Sequence, residues 1–215
     1  MREEKIELPS GPLAYFHAGS GRPLLYLHPA GGVRRSRVLE GLSRAFSLYV
    51  PVFPGFEGTA LHREIRSRRQ LAHLVARFWE KVIGGRCDVM GWSFGGAVAM
   101  WLAIERPELV HRLVLECPAG VWSIDRRIKR VNRALLEHYG ADDGKDEDLV
   151  ARLGEIAQPT LIIQGTDDGT IPPPSAELLK GQLKSPTLAY VPQAGHDLEM
   201  DQPASVLALV RNFLG

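Results

Sequence analysis

The stretch DVMGWSFGGAVAM, residues 88–100, sets Ser93 between Trp92 and Phe94 and brackets the three with Gly91, Gly95 and Gly96. Ahead of the serine, CDVMGW reads as a buried strand. Behind it, AVAMWLAI is apolar nearly all round and made mostly of good helix formers, so it reads as a buried helix. Pro107 ends that helix, because proline disfavours a helical residue before it. A G-x-S-x-G between strand and helix describes a turn too tight for side chains on its flanks, with the serine itself in a strained conformation. The turn lifts the hydroxyl clear of the strand end. It also leaves the N–H of Phe94 at a helix start, where the macrodipole favours an anion.

Outward from this turn, short apolar runs alternate with longer segments of helical period, the pattern of a sheet with helices on its faces. Strands are expected at KIEL, LAYFHA, PLLYLH, SLYVPVF, CDVMGW, RLVLEC, PTLIIQG and TLAYVP. Helices are expected from Val33 to Phe46, Arg68 to Val82, Phe94 to Glu105, Pro174 to Leu183 and Pro203 to Phe213. The first two strands follow each other without a helix, which implies an antiparallel start to a mostly parallel sheet. The fold class is therefore α/β, with helices on both faces. Residues 121–157 are longer than a crossover needs and run from the basic DRRIKRVNR to the acidic DDGKDEDL, so they read as a small cap-like insertion.

At 215 residues the chain fits a single domain with one sizeable core. Its 45% apolar and 24% charged residues are those of a globular protein, and a net charge of +1 argues against a general nucleic-acid binder. No apolar run is long enough to span a bilayer, and MREEKIEL lacks the apolar core of a signal peptide, so the expected location is cytoplasmic. Cys87 and Cys117 lie in apolar segments without metal or redox spacing and read as reduced core thiols.

A serine hydroxyl is a poor nucleophile alone and needs a base and a group to orient it. The C-terminal third offers both. PTLIIQG ends in Gly165-Thr166-Asp167-Asp168, and the next strand is followed by Gly195-His196. A carboxylate and a histidine just past successive parallel strands emerge on the same sheet edge as Ser93. There His196 would take the serine proton while the carboxylate fixes its tautomer and stabilises the imidazolium.

In this chain order of Ser, Asp and His, the sequence resembles the α/β-hydrolases over essentially its whole length. LLYLHPAGG is similar to the family's strand and oxyanion loop, FPGFEGT to its next strand end, GWSFGG to its nucleophile elbow, and GTDDGTIP and AGHDLEMDQP to its acid and histidine loops. The family spaces its acid three residues after the glycine, which implies Asp168, with Asp167 the lesser candidate. Its oxyanion loop implies Ala30, two residues after His28, as the N–H donor beside Phe94. Here Pro29 departs from the glycine that commonly follows the histidine; it stiffens the loop without removing the expected donor. Two such donors would hold a tetrahedral oxyanion, each worth roughly 3 kcal/mol in serine hydrolases.

The resemblance implies a serine hydrolase acting on a small-molecule carboxylic ester through an acyl-enzyme, with no metal or organic cofactor. A carbon–carbon bond hydrolase of ring-cleavage products shares the same triad, and a non-catalytic ligand-binding protein is the reading from another class. Trp92, Val121 and Trp122 are candidates for an acyl pocket. Glu116, after the preceding strand, is an alternative acid or a partly buried, hydrogen-bonded group. His28 reads as a structural residue bonded within its loop. The basic run Arg126, Arg127, Lys129, Arg130 and Arg133 reads as a solvated face, or else as a surface for an anionic substrate or an acidic acyl carrier. GWS followed by GG also resembles esterases of the biotin pathway, which act on carrier-bound methyl esters.

Overall fold

The computed structural model describes residues 1–124, 132–142 and 144–215. Eight strands form one sheet: β1 (Arg2–Leu8), β2 (Gly11–Ala18), β3 (Arg22–Leu27), β4 (Phe46–Pro51), β5 (Cys87–Trp92), β6 (Val110–Glu116), β7 (Thr160–Gly165) and β8 (Pro186–Val191). Their order is β1-β2-β4-β3-β5-β6-β7-β8. β1 pairs antiparallel with β2 and β2 with β4; every other pairing is parallel. The antiparallel start and the parallel remainder follow the sequence expectation.

Alternation along the strands divides the apolar side chains between two faces. Leu25, Leu27, Val89, Leu113, Leu115 and Ile162 meet the helices α2 (Arg68–Val82), α3 (Phe94–Glu105) and α6 (Pro174–Gln182). Leu24, Met90, Val114, Leu161 and Ile163 meet α1 (Arg37–Ser43) and α8 (Pro203–Leu214) on the other side. α3 is buried at every position but Glu105, as its all-round apolar sequence demands. Among the described residues no helix is long and apolar enough to cross a membrane.

One expectation is corrected. The first helix begins at Arg37, not Val33: Ser36 is the N-cap, its hydroxyl accepting the N–H of Leu39 at 3.1 Å, and residues 33–35 continue the loop after β3. The segment 121–157, read as a cap-like insertion, contains helices among its described residues. α4 (Arg133–His138), α5 (Glu147–Arg152) and a 3₁₀ turn at Leu153–Glu155 lie in it, and α7 (Leu198–Asp201) follows the histidine loop.

Register brings the parallel strand ends level, with Leu27 opposite Gly91 and Trp92 opposite Glu116. The turn from β5 into α3 sits in the middle of that edge. A Cβ on Gly95 would lie 2.1 Å from the Leu27 carbonyl oxygen and 2.7 Å from that of His28, both backbone atoms that cannot swing away. Gly95→Ala is therefore expected to cost at least about 3 kcal/mol, the upper end of overpacking. Thermal unfolding should show a fall in Tm of roughly 10 °C; an unchanged Tm would contradict this close approach.

Candidate active site

Ser93 has φ 53° and ψ −115°, a conformation a side-chain-bearing residue adopts at a cost of about 1–3 kcal/mol. Three backbone bonds help hold it there. Its N–H donates to the Glu116 carbonyl at 2.9 Å, and its own carbonyl accepts from Gly96 and Ala119, both at 2.9 Å. The hydroxyl lies 2.9 Å from His196 Nε2, and His196 Nδ1 lies 2.8 Å from Asp168 Oδ2. With Asp168 as acceptor, Nδ1 carries the proton and Nε2 is left to accept from Ser93.

Asp168 is buried at 3% exposure, and both of its oxygens are engaged. Oδ1 accepts the N–H groups of Thr170 and Ile171 at 2.8 Å each, while Oδ2 accepts from His196 and, at 3.4 Å, from Gln164 Nε2. Burial pushes this carboxyl up, but the bond and charge of His196 and the bond from Ile171 outweigh it, and the net shift is below the usual value. Asp167 is not at the histidine; its Oδ1 accepts the Thr166 hydroxyl at 3.0 Å. The histidine loop is fixed on both sides of the ring. Gly195 N–H donates to Asp201 Oδ2 at 2.8 Å, and Trp92 Nε1–H donates to the His196 carbonyl at 3.1 Å. Gly165 lets the acid loop lie against this one, since a Cβ there would stand 2.4 Å from the Ala194 and Gly195 carbonyls.

The two expected oxyanion donors face the same space. Phe94 is the first residue of α3, so its N–H has no intrahelical acceptor. The Ala30 N–H has no hydrogen-bond acceptor among the described residues. Its direction is set by His28, which is wholly buried. The Pro29 carbonyl accepts from His28 Nδ1–H at 2.8 Å and from the Gly32 N–H at 3.0 Å. In a planar trans peptide the N–H points opposite the C=O, so fixing the Pro29 oxygen aims the Ala30 N–H away from it. His28 Nε2 accepts the Phe53 N–H at 3.0 Å, which requires a neutral ring, and burial lowers its pKa to about 4.

Over Ser93 lies a cavity of about 190 Å³, walled by Trp92, Phe94, Ala119, Ile124, Leu136 and Ala141, with Ala30, Ser93 and His196 at its base. Of the pocket residues expected from the sequence, Trp92 is on this wall. Val121 is not: it is buried in the core at 1% exposure. Trp122 is also off the wall, and Ala119 and Ile124 occupy that side. Arg68, at the first position of α2, ties down the far end. It is 2% exposed, donates to the carbonyls of Gly140, Gly144 and Lys145 at 3.0–3.1 Å, and pairs with Asp146 at 3.3 Å. At the mouth, Arg34 bridges to Asp197 and lies 5.5 Å over the Trp92 ring. Of the basic run, Arg126, Arg127, Lys129 and Arg130 lie outside the described residues; Arg133 pairs with Glu137 at 2.9 Å.

Three buried groups stand close to the site, in surroundings that the sequence did not show. The Cys117 thiol, expected to be an inert core group, lies within 4.8 Å of the Asp168 carboxylate and the His196 ring. Glu199 sits behind the histidine loop, where Oε1 accepts the Tyr26 hydroxyl at 2.9 Å. Glu116 is neither the acid nor a hydrogen-bonded residue. Its carboxyl is fully buried, and neither oxygen has a hydrogen-bond partner among the described residues.

A sequence profile of the Alpha/beta hydrolase family matches residues 17–147. A pimeloyl-[acyl-carrier protein] methyl ester esterase of Nitrosomonas europaea is 27% identical over 233 residues, covering 83% of this chain and 90% of its own. A 2-hydroxy-6-oxo-2,4-heptadienoate hydrolase of Pseudomonas putida is 25% identical over 252 residues, covering 91% of this chain and 90% of its own. Among solved structures, a hydrolase from Pseudomonas aeruginosa PA01 superposes with a TM-score of 0.83 at 22% identity, covering 99% of this chain and 98% of that one.

Burial first, and then the charges of Glu199 and Asp197, push the Glu116 carboxyl well above its usual range. A carboxyl whose folded pKa lies above its unfolded one holds its stability at low pH and loses it as pH rises through the folded value. Glu116→Met removes both the orphaned oxygens and this loss. The variant should be more stable than the parent at pH 8 by about 1–3 kcal/mol, the cost of an unpartnered buried polar group. The gain should shrink towards pH 5. A denaturant series at the two pH values checks it, and a gain that grew on acidification would reverse the assignment.

Proposed function

The chain belongs to the alpha/beta hydrolase family, and on that footing we propose that it is a serine hydrolase cleaving small carboxylic esters through an acyl-enzyme. The observation that carries the reading is the unbroken path from Ser93 Oγ through His196 to Asp168, in steps of 2.9 and 2.8 Å, beneath a cavity. His196 Nε2 takes the serine proton as Oγ attacks the ester carbonyl. The carbonyl oxygen becomes an oxyanion between the N–H groups of Ala30 and Phe94, and the imidazolium is held by Asp168. His196 then protonates the departing alcohol, and water, activated by the same ring, releases the acid. Proton transfer and oxyanion stabilisation thus both come from the chain itself.

The cavity bears on the acyl group. Its wall is mostly apolar, which favours an uncharged chain. The relatives divide between an enzyme named for a methyl ester and one named for a dienoate, so carbon–carbon bond hydrolysis is the second reading.

The parent should turn over short p-nitrophenyl esters such as the acetate and butyrate. Ser93→Ala should lose roughly 10⁵-fold or more in kcat while keeping its fold. The parent should bind a fluorophosphonate covalently and the variant should not. A parent that neither turned over these esters nor took the label would sink the reading. Bleaching of a vinylogous diketone in place of ester turnover would favour the carbon–carbon hydrolase.

A further inference from the structure

Beyond the triad, we propose that Cys117 is a positioning residue, its thiol donating a hydrogen bond to the Asp168 carboxylate and thereby setting how strongly that carboxylate holds the His196 imidazolium. The proposal rests on reading Ser93, His196 and Asp168 as a triad.

Four observations carry it. Cys117 follows the last residue of β6, its N–H donating to the Ile163 carbonyl at 2.9 Å, so its place between the ends of β5 and β7 is fixed. Its φ is +39°, a left-handed conformation that a cysteine has no intrinsic reason to adopt. Such strain persists where the surroundings enforce it, and it concentrates at functional sites. The strained backbone turns the side chain to the acid, where Sγ, an Asp168 oxygen and a His196 nitrogen all lie within 4.8 Å of one another. The thiol is completely buried, so no solvent competes for the carboxylate.

The thiol adds to a set of donors that act on the carboxylate together. Thr170, Ile171 and Gln164 already donate to Asp168, and each such bond draws charge from it and lowers its hold on a proton-bearing partner. The partner whose charge changes in catalysis is His196. Burial, with the nearby Asp168 charge, raises the Cys117 thiol well above its usual range, so it stays an S–H donor and does not become a thiolate that would repel the acid. Removing this donor makes Asp168 more basic and the imidazolium more stable, so His196 holds its proton to higher pH. The other ionisable groups nearby are Glu116, whose charge also acts on the thiol, Glu199 on α7, and the Arg34–Asp197 pair at the mouth. The substitutions at Cys117 leave each of these residues in place.

The test compares the parent with Cys117→Ala and Cys117→Ser by following the His196 ring resonance in NMR titrations, and by the pH dependence of kcat/KM on p-nitrophenyl acetate. In Cys117→Ala the midpoint of the ring titration and the acid limb should both move up by about 0.5 pH unit, as expected for loss of one weak hydrogen bond. On the acid limb kcat should fall by up to about threefold, with KM within twofold of the parent. Cys117→Ser keeps a donor and should return both midpoints to the parent value or below. Coincident titrations in all three proteins would overturn the proposal, as would alanine and serine variants that shift together, which is what a packing defect alone would produce. Because the ring titration needs no turnover, a parent without esterase activity would refute the triad while leaving the thiol's effect on His196 readable.

Discussion

The approach of Gly95 to the carbonyls of Leu27 and His28 is the constraint on which the rest of the site depends. It brings the first turn of α3 against the end of β3, so the Phe94 N–H and the loop carrying Ala30 border one space. A side chain at that position would push helix and strand apart and open the gap between the two donors. The same turn forces Ser93 into its strained conformation and sends Oγ upward from the sheet edge. The strain is held by packing on every side: α3 is buried at eleven of its twelve positions, and the Ser93 backbone is bonded to Glu116, Gly96 and Ala119. The candidate oxyanion loop and the candidate nucleophile therefore share one steric cause.

Parallel register distributes the remaining parts. β5, β6, β7 and β8 end at one edge, so the residues just beyond them converge although they are far apart in sequence. Ser93 and His196 meet across 103 positions, and His196 and Asp168 across 28. Each loop is then pinned by a partner outside the triad. Asp201 holds the Gly195 N–H, Trp92 the His196 carbonyl, and His28 the Pro29 carbonyl. Pro29, the residue that departs from the usual loop, offers no N–H, yet its carbonyl is the handle by which the Ala30 donor is aimed.

What could be read in advance follows from period and punctuation. α2 and α3 begin and end where the pattern put them, because Ser67 caps one and the glycine turn and Pro107 delimit the other. His196 could be picked out because it follows a glycine just past a strand, whereas Asp168 was set apart from Asp167 only by the spacing that the family resemblance implies. The Val33 boundary failed because apolar and basic residues continue the helical period into a loop, and only the Ser36 cap marks the true start. Val121 failed for a different reason: apolar residues after a strand read alike whether they turn into the core or into a cavity. Cys117, Glu116 and Glu199 were illegible because their meaning lies in which face of the sheet they occupy and what stands opposite, and neither is encoded locally.

The buried ionisable groups pull the pH dependence of stability in opposite directions. His28 is held neutral, its pKa lowered to about 4, so as pH falls from about 6.5 the unfolded chain gains a proton that the folded chain refuses. That refusal is worth about 3 kcal/mol once pH is below both values. Asp168 acts in the same sense at lower pH, since its folded pKa lies below the usual value and its stabilisation is lost on acidification. Glu199 works the other way: burial raises it to about 6 against the bonds from Ser36 and Tyr26, so its contribution is present in acid and lost as pH rises through that value. Glu116 adds to the loss at still higher pH. His28 and Asp168 belong to the proposed site, one aiming a candidate oxyanion donor and the other bonded to the proposed base, and acid weakens both. The two glutamates touch no reacting atom and weaken the fold in the range where a histidine base must be unprotonated to act. A neutral residue at either glutamate would therefore extend the stable range upward without changing any bond in the path from Ser93 to Asp168.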